Sequence, residues 1–544
     1  MTCNDAPQSV VHPQGLKARW ARSISFARVV DEDLEVCWGT EVKCCWIVSC
    51  LLVFWLSLLA EDRPNVVFIL ADDLGYGDLS SYGATKVQTP HIDRLAEEGR
   101  KFTDAHSPHP VCTPTRYSLM TGRYSWRTWA KTANVWSTDP MLIDDDQYTL
   151  PKLLRDAGYR TALIGKWHLS YGRPGSPGWD DFKGIDYNGK IAPGPLEAGF
   201  DYYFGVPHVG QQPHVFIENH HVVGLTPESP LELVMDDRWL HRTSYLERHG
   251  YPPRHHFDGG EGAKYRQEDV AIRLTEKAVD WLKQTARNQK EPFFLYFAHR
   301  NVHGPLAPNE RFAGKSEIGV YGDFLLELDW SVGRILDTLD SLGLTEKTLV
   351  FFSSDNGAVQ RGHQPTVYVD HNGHLANGPL RGQKTESLEG GHRVPLLARW
   401  PGRIPKGSTS DSLVALTDTM ATLAELIGSE LPDDAAPDSI SFLGALLDQA
   451  PIQAPRRVLV HESYRGGFGI RVDDWKLLMI QGGGGIGWSQ FNNDRDQPYG
   501  QLYNLKDDLK ELNNLYATHP QRVSDMAKLL RTIRTSSSSR ELSR

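Results

Sequence analysis

Apolar positions along this chain fall into two rhythms. Four bursts are apolar at nearly every position: "RPNVVFILADD" (63–73), "YRTALIGKWH" (159–168), "PFFLYFAHRNVH" (292–303) and "TLVFFSSDNG" (348–357). Such near-continuous runs predict strands covered on both faces. Between them lie stretches of helical period: "HIDRLAEEG" (91–99), "TLPKLLRDAG" (149–158), "EDVAIRLTEKAVDWLKQTA" (268–286) and "FLLELDWSVGRILDTLDSLG" (324–343). Several end in Gly, the expected helix stop. Alternating strands and helices predict an α/β fold around a mostly parallel sheet.

The rhythm changes after a Pro- and Asp-rich passage, "LPDDAAPDS" (431–439), which reads as a looser connection. Beyond it, "RVLVHES", "FGIRVDDWKLLMI" and "QLYNLKDD" predict short strands of a small antiparallel sheet, followed by a helix near 519–534. The expected division is an N-terminal extension (1–60), a main domain (61–440), a small α+β subdomain (441–534) and a frayed, disordered tail (535–544). The run "QGGGGIGW" (481–488) has no following helix and no Lys-Ser/Thr pair, so it predicts a mobile hairpin tip rather than a phosphate cradle.

Each buried burst ends in polar residues: Asp72 and Asp73, Lys166 and His168, His299 and His303, Asp355 and Asn356. Ligands of open α/β sheets bind outside the carboxyl ends of the strands. Four separate segments therefore deliver chemistry to one edge.

Composition narrows the classes. With 40% hydrophobic and 23% charged residues the chain is an ordinary globular one, and its net charge of −10 excludes a broad nucleic-acid surface. An anionic substrate must be held by a local basic cluster. Residues 44–60 form an apolar run between Lys43 and Glu61, short for a bilayer span and close to a signal-peptide core. The expectation is export, periplasmic or secreted, by a signal peptide rather than a membrane anchor, with translation starting near Val42.

Of the six cysteines, five precede residue 51, leaving Cys112 alone in the main body, where no intrachain disulfide can form. A free cysteine is most often a small buried hydrophobe. Here Pro114 and Arg116 follow, and "TRYSLMTG" can open a helix, whose N-terminus favours anions. The Cys-to-Arg spacing of four residues excludes a Cys-x5-Arg phosphatase loop. Asp72, Asp73, Asp355 and Asn356 offer oxygen donors suited to a hard divalent cation. Taken singly, each acidic pair would read as a turn or helix cap.

The string "PVCTPTRYSLMTG" resembles the first motif of the type I sulfatases, Cys-x-Pro-x-Arg, and "GYRTALIGKWH" resembles their second. The likeness extends from "NVVFILADDLGYGDLSSYG" through "LRGQKTESLEGGHRVP" to "LYNLKDDLKELNNL". It implies an alkaline-phosphatase-like α/β fold and hydrolysis of sulfate monoesters, with sulfated carbohydrates as the expected substrates. Sister readings are a phosphonate or phosphodiester hydrolase and a non-catalytic sulfoglycan-binding relative.

The resemblance further implies that a maturation enzyme oxidises Cys112 to Cα-formylglycine (3-oxoalanine). One hydroxyl of its hydrate attacks sulfur and the other later expels sulfate. It implies Ca²⁺, with Mg²⁺ as the alternative, held by Asp72, Asp73, Asp355, Asn356 and the converted Cys112. Arg116 would fix the formylglycine, Lys166 and Lys384 would hold sulfate oxygens, and His168 would deprotonate the remaining hydroxyl. His303 and Lys384 are the candidate acids and Asp355 the candidate base, while His299 is read as structural. The loops 170–189, 205–221 and 359–378 are expected to shape the substrate side, with His208 a candidate contact.

Overall fold

The strand β1 (Asn65–Ala71) lies at the centre of a ten-stranded sheet. The computed structural model describes residues 63–131, 134–210, 212–236, 254–287, 291–359, 372–485 and 499–544. The N-terminal extension, its apolar run and the expected start at Val42 lie outside the described residues, as does most of the loop 359–378.

The other strands of this sheet are β2 (Arg100–Phe102), β3 (Arg160–Lys166), β4 (Tyr202–Val206), β5 (Ile217–Glu218), β6 (His221–Val222), β7 (Phe293–Ala298), β8 (Thr348–Ser354), β9 (Leu396–Arg399) and β10 (Ser408–Ser410). Their order is β10-β2-β9-β8-β1-β7-β3-β4-β5-β6. The central five, β8 to β4, are parallel. Antiparallel pairings of β9 with β8 and of β5 with β4 begin the two flanks. The mostly parallel α/β expectation is met, and all four apolar bursts are central strands.

Along β1 the side chains alternate between two cores. Val66, Phe68 and Leu70 join one; Val67, Ile69 and Ala71 join the other. The first core takes in the helices Cys112–Thr121 and Leu150–Asp156, and the second takes in Val270–Ala286 and Gly319–Ser341. Burial on both faces explains why these strands carry no polar alternation.

The C-terminal sheet is antiparallel, in the order β11 (Val458–Glu462), β12 (Phe468–Val472), β13 (Trp475–Leu478), β14 (Gln501–Asn504), and the helix Pro520–Thr535 packs on it.

Two expectations need correction here. The passage 431–439 is no loose connection: Asp438 is fully buried, accepts from Tyr124 N at 2.8 Å and pairs with Arg127 at 2.9 Å. Nor do residues 535–544 fray. Ser543 O accepts from the backbone N–H groups of Arg457 and Val458 at 2.8 and 3.0 Å, and Ser539 N donates to Asp438 at 3.1 Å. Polar residues at a terminus look disordered by composition, but here their backbone groups complete pairings that β11 would otherwise lack. The glycine run is packed at its start: Ser387 N donates to Gly483 O at 2.9 Å. A Cβ on Gly483 would lie 2.8 Å from Glu386 Cδ, so glycine there permits a close approach; residues 486–488, where the hairpin tip was expected, lie outside the described residues.

Candidate active site

Local sequence places each polar side chain at the edge. The helix Cys112–Thr121 starts on the cysteine itself, after the extended Val111, and stops at Gly122 in the left-handed region (φ 61°). Every residue of this helix is buried, so the motif sits inside the molecule. Asp72 and Asp73 follow β1 directly, and Asp355 and Asn356 follow β8. Asp73 N donates to Asp355 Oδ1 at 3.1 Å, which ties the two strand ends together. Lys166 ends β3, where Gly165 (φ 127°) lets the backbone of β7 approach; a Cβ there would fall 1.9 Å from Ala298 O.

These elements converge on Cys112. Its Sγ lies 3.4 Å from Asp72 Oδ1, 3.5 Å from Asn356 Oδ1 and 3.9 Å from Asp73 Oδ1, and Lys384 Nζ is 3.4 Å away. Lys166 Nζ donates to Asp72 Oδ2 at 2.7 Å and Lys384 Nζ to Asp73 Oδ2 at 2.8 Å. The Arg116 guanidinium reaches Asp355 Oδ2 through Nε at 3.0 Å and Nη2 at 2.8 Å. His303 Nε2 stands 3.7 Å from Asp73 Oδ2, and with 19% of its side chain accessible it is more exposed than Asp73, Lys166 or Lys384.

His168 is buried in the left-handed region (φ 56°), with neither ring nitrogen hydrogen-bonded among the described residues. The His208 ring meets it edge-on at 4.9 Å. His299 lies apart from this chemistry: its Nδ1 accepts from Asn301 N and its Nε2 contacts Ser331 Oγ, both at 3.1 Å.

Charge sets the protonation pattern. Burial raises Asp72, but the Lys166 ammonium, His303, Arg116 and Lys384 overcome it and hold the carboxyl well below its usual range. Burial and the Asp72 carboxylate raise Asp355 against Arg116 and Lys166. Burial and Lys384 pull His303 down to about 4, against Asp73 and Asp72. Burial and Lys166 likewise keep the His168 ring neutral. Burial and Asp355 push the Cys112 thiol up, so as a thiol it is a poor nucleophile.

The donor set fits a divalent cation. Asp72, Asp73, Cys112 and His303 offer ligand atoms within 4.8 Å of one another, and Asn356 adds an oxygen beside them. Three carboxylates this close in a buried site repel, as the raised Asp355 records, and a bound cation would relieve that repulsion.

Residues 64–429 match the sulfatase family model, and residues 384–536 match the C-terminal model of N-sulphoglucosamine sulphohydrolase. The chain belongs to the sulfatase family. It is similar to an N-acetylgalactosamine-6-O-sulfatase of Bacteroides thetaiotaomicron, 38% identical over 87% of this chain and 94% of the relative. Human N-acetylgalactosamine-6-sulfatase is 34% identical over 73% of this chain and 68% of its own length. A solved sulfatase structure from glycosaminoglycan metabolism in Bacteroides thetaiotaomicron superposes with a TM-score of 0.78 at 37% identity, covering 88% of this chain and all of that one. The phosphonate monoester hydrolase of Agrobacterium radiobacter shares the fold, at a TM-score of 0.56 and 19% identity. This sulfatase is a sulfuric ester hydrolase, and its family generally uses formylglycine and a divalent metal.

Sequence reading missed the supports of the site. Asp78 accepts from Gly75 N at 2.7 Å and Tyr321 OH at 2.6 Å and contacts His374 Nε2 at 2.8 Å, which locks the loop after Asp73. Asn377 Oδ1 accepts from Ala358 N at 2.9 Å and fixes the turn after Asn356. The single signal was the acidic end of "GYGD" (75–78), five residues after Asp73.

Proposed function

We propose that this sulfatase removes sulfate from sulfated carbohydrates, with N-acetylgalactosamine 6-sulfate the first substrate to test. The observation that carries the reading is the shell around Cys112: two carboxylates, an Asn oxygen and an ammonium group within 3.9 Å of Sγ. The name and near-full coverage of the Bacteroides relative support the carbohydrate class.

The nucleophile is supplied by Cys112 after its conversion to formylglycine. Ca²⁺ at Asp72, Asp73, Asp355, Asn356 and the converted side chain would neutralise sulfate charge and favour the deprotonated nucleophile. Lys166 and Lys384, now against the carboxylates, bind sulfate oxygens, and the charge they place there is present before substrate arrives. His303 and Lys384 flank the position of the leaving oxygen and supply its proton. His168, neutral and unpaired at its ring nitrogens, takes the proton from the hydroxyl that remains when sulfate departs. Arg116 acts through Asp355, whose carboxylate it orients. His208 packs against His168 and lines the substrate side. Among the described residues no helix is long and apolar enough to cross a membrane; export rests on the apolar run 44–60.

Mass spectrometry of the Cys112 peptide from protein made in its own host tests the first step. A loss of about 18 Da is expected on conversion of thiol to aldehyde. The converted protein should release sulfate from N-acetylgalactosamine 6-sulfate, Cys112→Ala should not, and EGTA should abolish release until Ca²⁺ is returned. An unconverted cysteine in active protein would overturn this reading.

A further inference from the structure

The segment that follows β7 holds the backbone of Asp72 from both sides. Asn301 O accepts from Asp72 N at 2.9 Å, and Val302 N donates to Asp72 O at 2.6 Å. His299 N donates to Leu70 O at 2.9 Å, so the pairing of β1 with β7 runs on past the end of both strands. One residue further the same segment delivers His303, whose N–H donates to Arg300 O at 3.1 Å. Its course therefore sets two groups of the site, the Asp72 carboxylate and the His303 ring.

Asn301 is in turn held by side chains distant in sequence. Its Nδ2 donates to Glu327 Oε2 and to Phe324 O, both at 2.9 Å, and its backbone N–H donates to His299 Nδ1 at 3.1 Å. That last bond fixes the Nε2–H tautomer of His299, which donates to Ser331 Oγ at 3.1 Å. Ser331 Oγ donates onward to Glu327 O at 2.9 Å, and Glu327 Oε1 accepts from Asn309 N at 3.3 Å. Phe324, Glu327 and Ser331 all belong to the helix Gly319–Ser341, so one helix fixes the segment.

A carboxylate is a costly choice at this position. Glu327 is fully buried, makes no ion pair among the described residues, and is met by one amide and one peptide N–H. Burial lifts its carboxyl to about 7, against the pull of Asn301, Asn309 and Arg300. An apolar side chain of similar size would avoid that desolvation, but one of the two Asn301 Nδ2 protons would lose its acceptor.

We propose that Glu327 is a positioning residue that acts through Asn301 to fix the backbone of Asp72, and with it the carboxylate offered to the metal. The proposal rests on the reading of Asp72 as a Ca²⁺ ligand given above. Groups that orient a metal's ligands from outside typically set affinity or activity by about 10–100-fold.

The test is calorimetric Ca²⁺ titration of the calcium-stripped full chain, with Tm and the Ca²⁺ dependence of sulfate release measured beside it. Glu327→Leu is expected to weaken Ca²⁺ binding about 10–100-fold and to raise the half-activating Ca²⁺ concentration by the same factor. Glu327→Gln keeps an acceptor for Asn301 Nδ2 and should recover most of that affinity. Asn301→Ala removes the same bond while keeping the backbone bonds to Asp72. It should match Glu327→Leu, the double variant should lose no more than either alone, and it carries the test if Glu327→Leu does not fold. Ca²⁺ affinity equal to the parent's in these variants, with only Tm lowered, would overturn the proposal and leave Glu327 a structural residue. Glu327→Gln as impaired as Glu327→Leu would overturn it too, because the carboxylate would then act by its charge and not through Asn301. A parent that binds no Ca²⁺ would overturn the metal reading itself and the proposal with it.

Discussion

Arg116 and Asp355 are both fully buried, and each is the other's counter-charge. Removing one partner of such a pair leaves an uncompensated charge, which typically costs about 3–5 kcal/mol. Arg116→Ala should therefore lower stability by about that much as well as abolish turnover, read by urea unfolding beside an activity assay. Lys384 is a different case. Its ammonium is a counter-charge of the buried Asp73, but 9% of its side chain is accessible against 1% for Arg116, so its loss lets water reach that carboxylate and costs less. Lys384→Ala should fold normally and lower kcat about 10²–10³-fold, the usual effect of deleting one preorganised charge donor. A Lys384→Ala variant with near-parental kcat on a sulfated sugar would exclude it from the sulfate site.

The strand ends carried the most legible information. Runs such as "NVVFILADD" declare a strand buried on both faces and the polar pair that must emerge at its end. Asp72, Lys166, His303 and Asp355 were placed on one edge by that logic, and the structure brings them together. Asp78 was not legible, because it acts through partners far away in sequence, meeting Tyr321 and His374 across more than 240 residues. Asn377 was not legible for another reason: its partners Ala358 and Gly382 are near in sequence, but they lie in irregular loops that carry no period. The tail misled for the same reason, since its pairing with β11 has no local pattern.

β11 also carries a titratable group that the sheet must tolerate. Glu462 is 3% exposed and its Oε2 has no hydrogen-bond partner among the described residues. Burial lifts it to about 8, against the pull of Arg534 and Lys131. A carboxyl raised in the folded state binds its proton there while the unfolded chain, titrating near 4.5, has released it. Its contribution to stability is complete below about 4.5 and is lost as pH rises through about 8. Glu462→Gln should remove this component, so that Tm falls less between those limits than in the parent. Parallel Tm profiles for the two proteins would show that Glu462 titrates normally.

At the scale of the whole molecule, the C-terminal sheet is joined to the catalytic sheet by charge as much as by apolar contact. Arg456 donates to Asp418 Oδ2 at 2.8 Å, Arg471 to Asp104, and Lys476 to Glu389 at 2.9 Å, and all six side chains are buried or nearly so. Each pair has its cation on the C-terminal part and its carboxylate on the catalytic part. A chain cut after residue 440 would keep Asp104, Glu389 and Asp418 while losing every one of these cations. Arg393 would stay beside Asp104 and Glu389, but it would be their one remaining guanidinium in place of three cations, and Asp418 would lose Arg456. Buried carboxylates short of counter-charge either take up water or become protonated, and both disrupt the packing around them. Residues 389–394 and 104–107 are bonded to one another, Ser107 N to His392 O at 2.8 Å and Val394 N to Ala105 O at 3.0 Å, and Gly357 N, next to Asn356, donates to Gly391 O at 2.9 Å, so the damage would reach the site. The expected result is that residues 63–440 alone give no cooperative unfolding transition and no sulfatase activity. The full chain should unfold in a single step that includes both sheets, read by calorimetry. A shortened chain that melts cooperatively and still turns over substrate would show that the charged seam is dispensable and that the two sheets are independent.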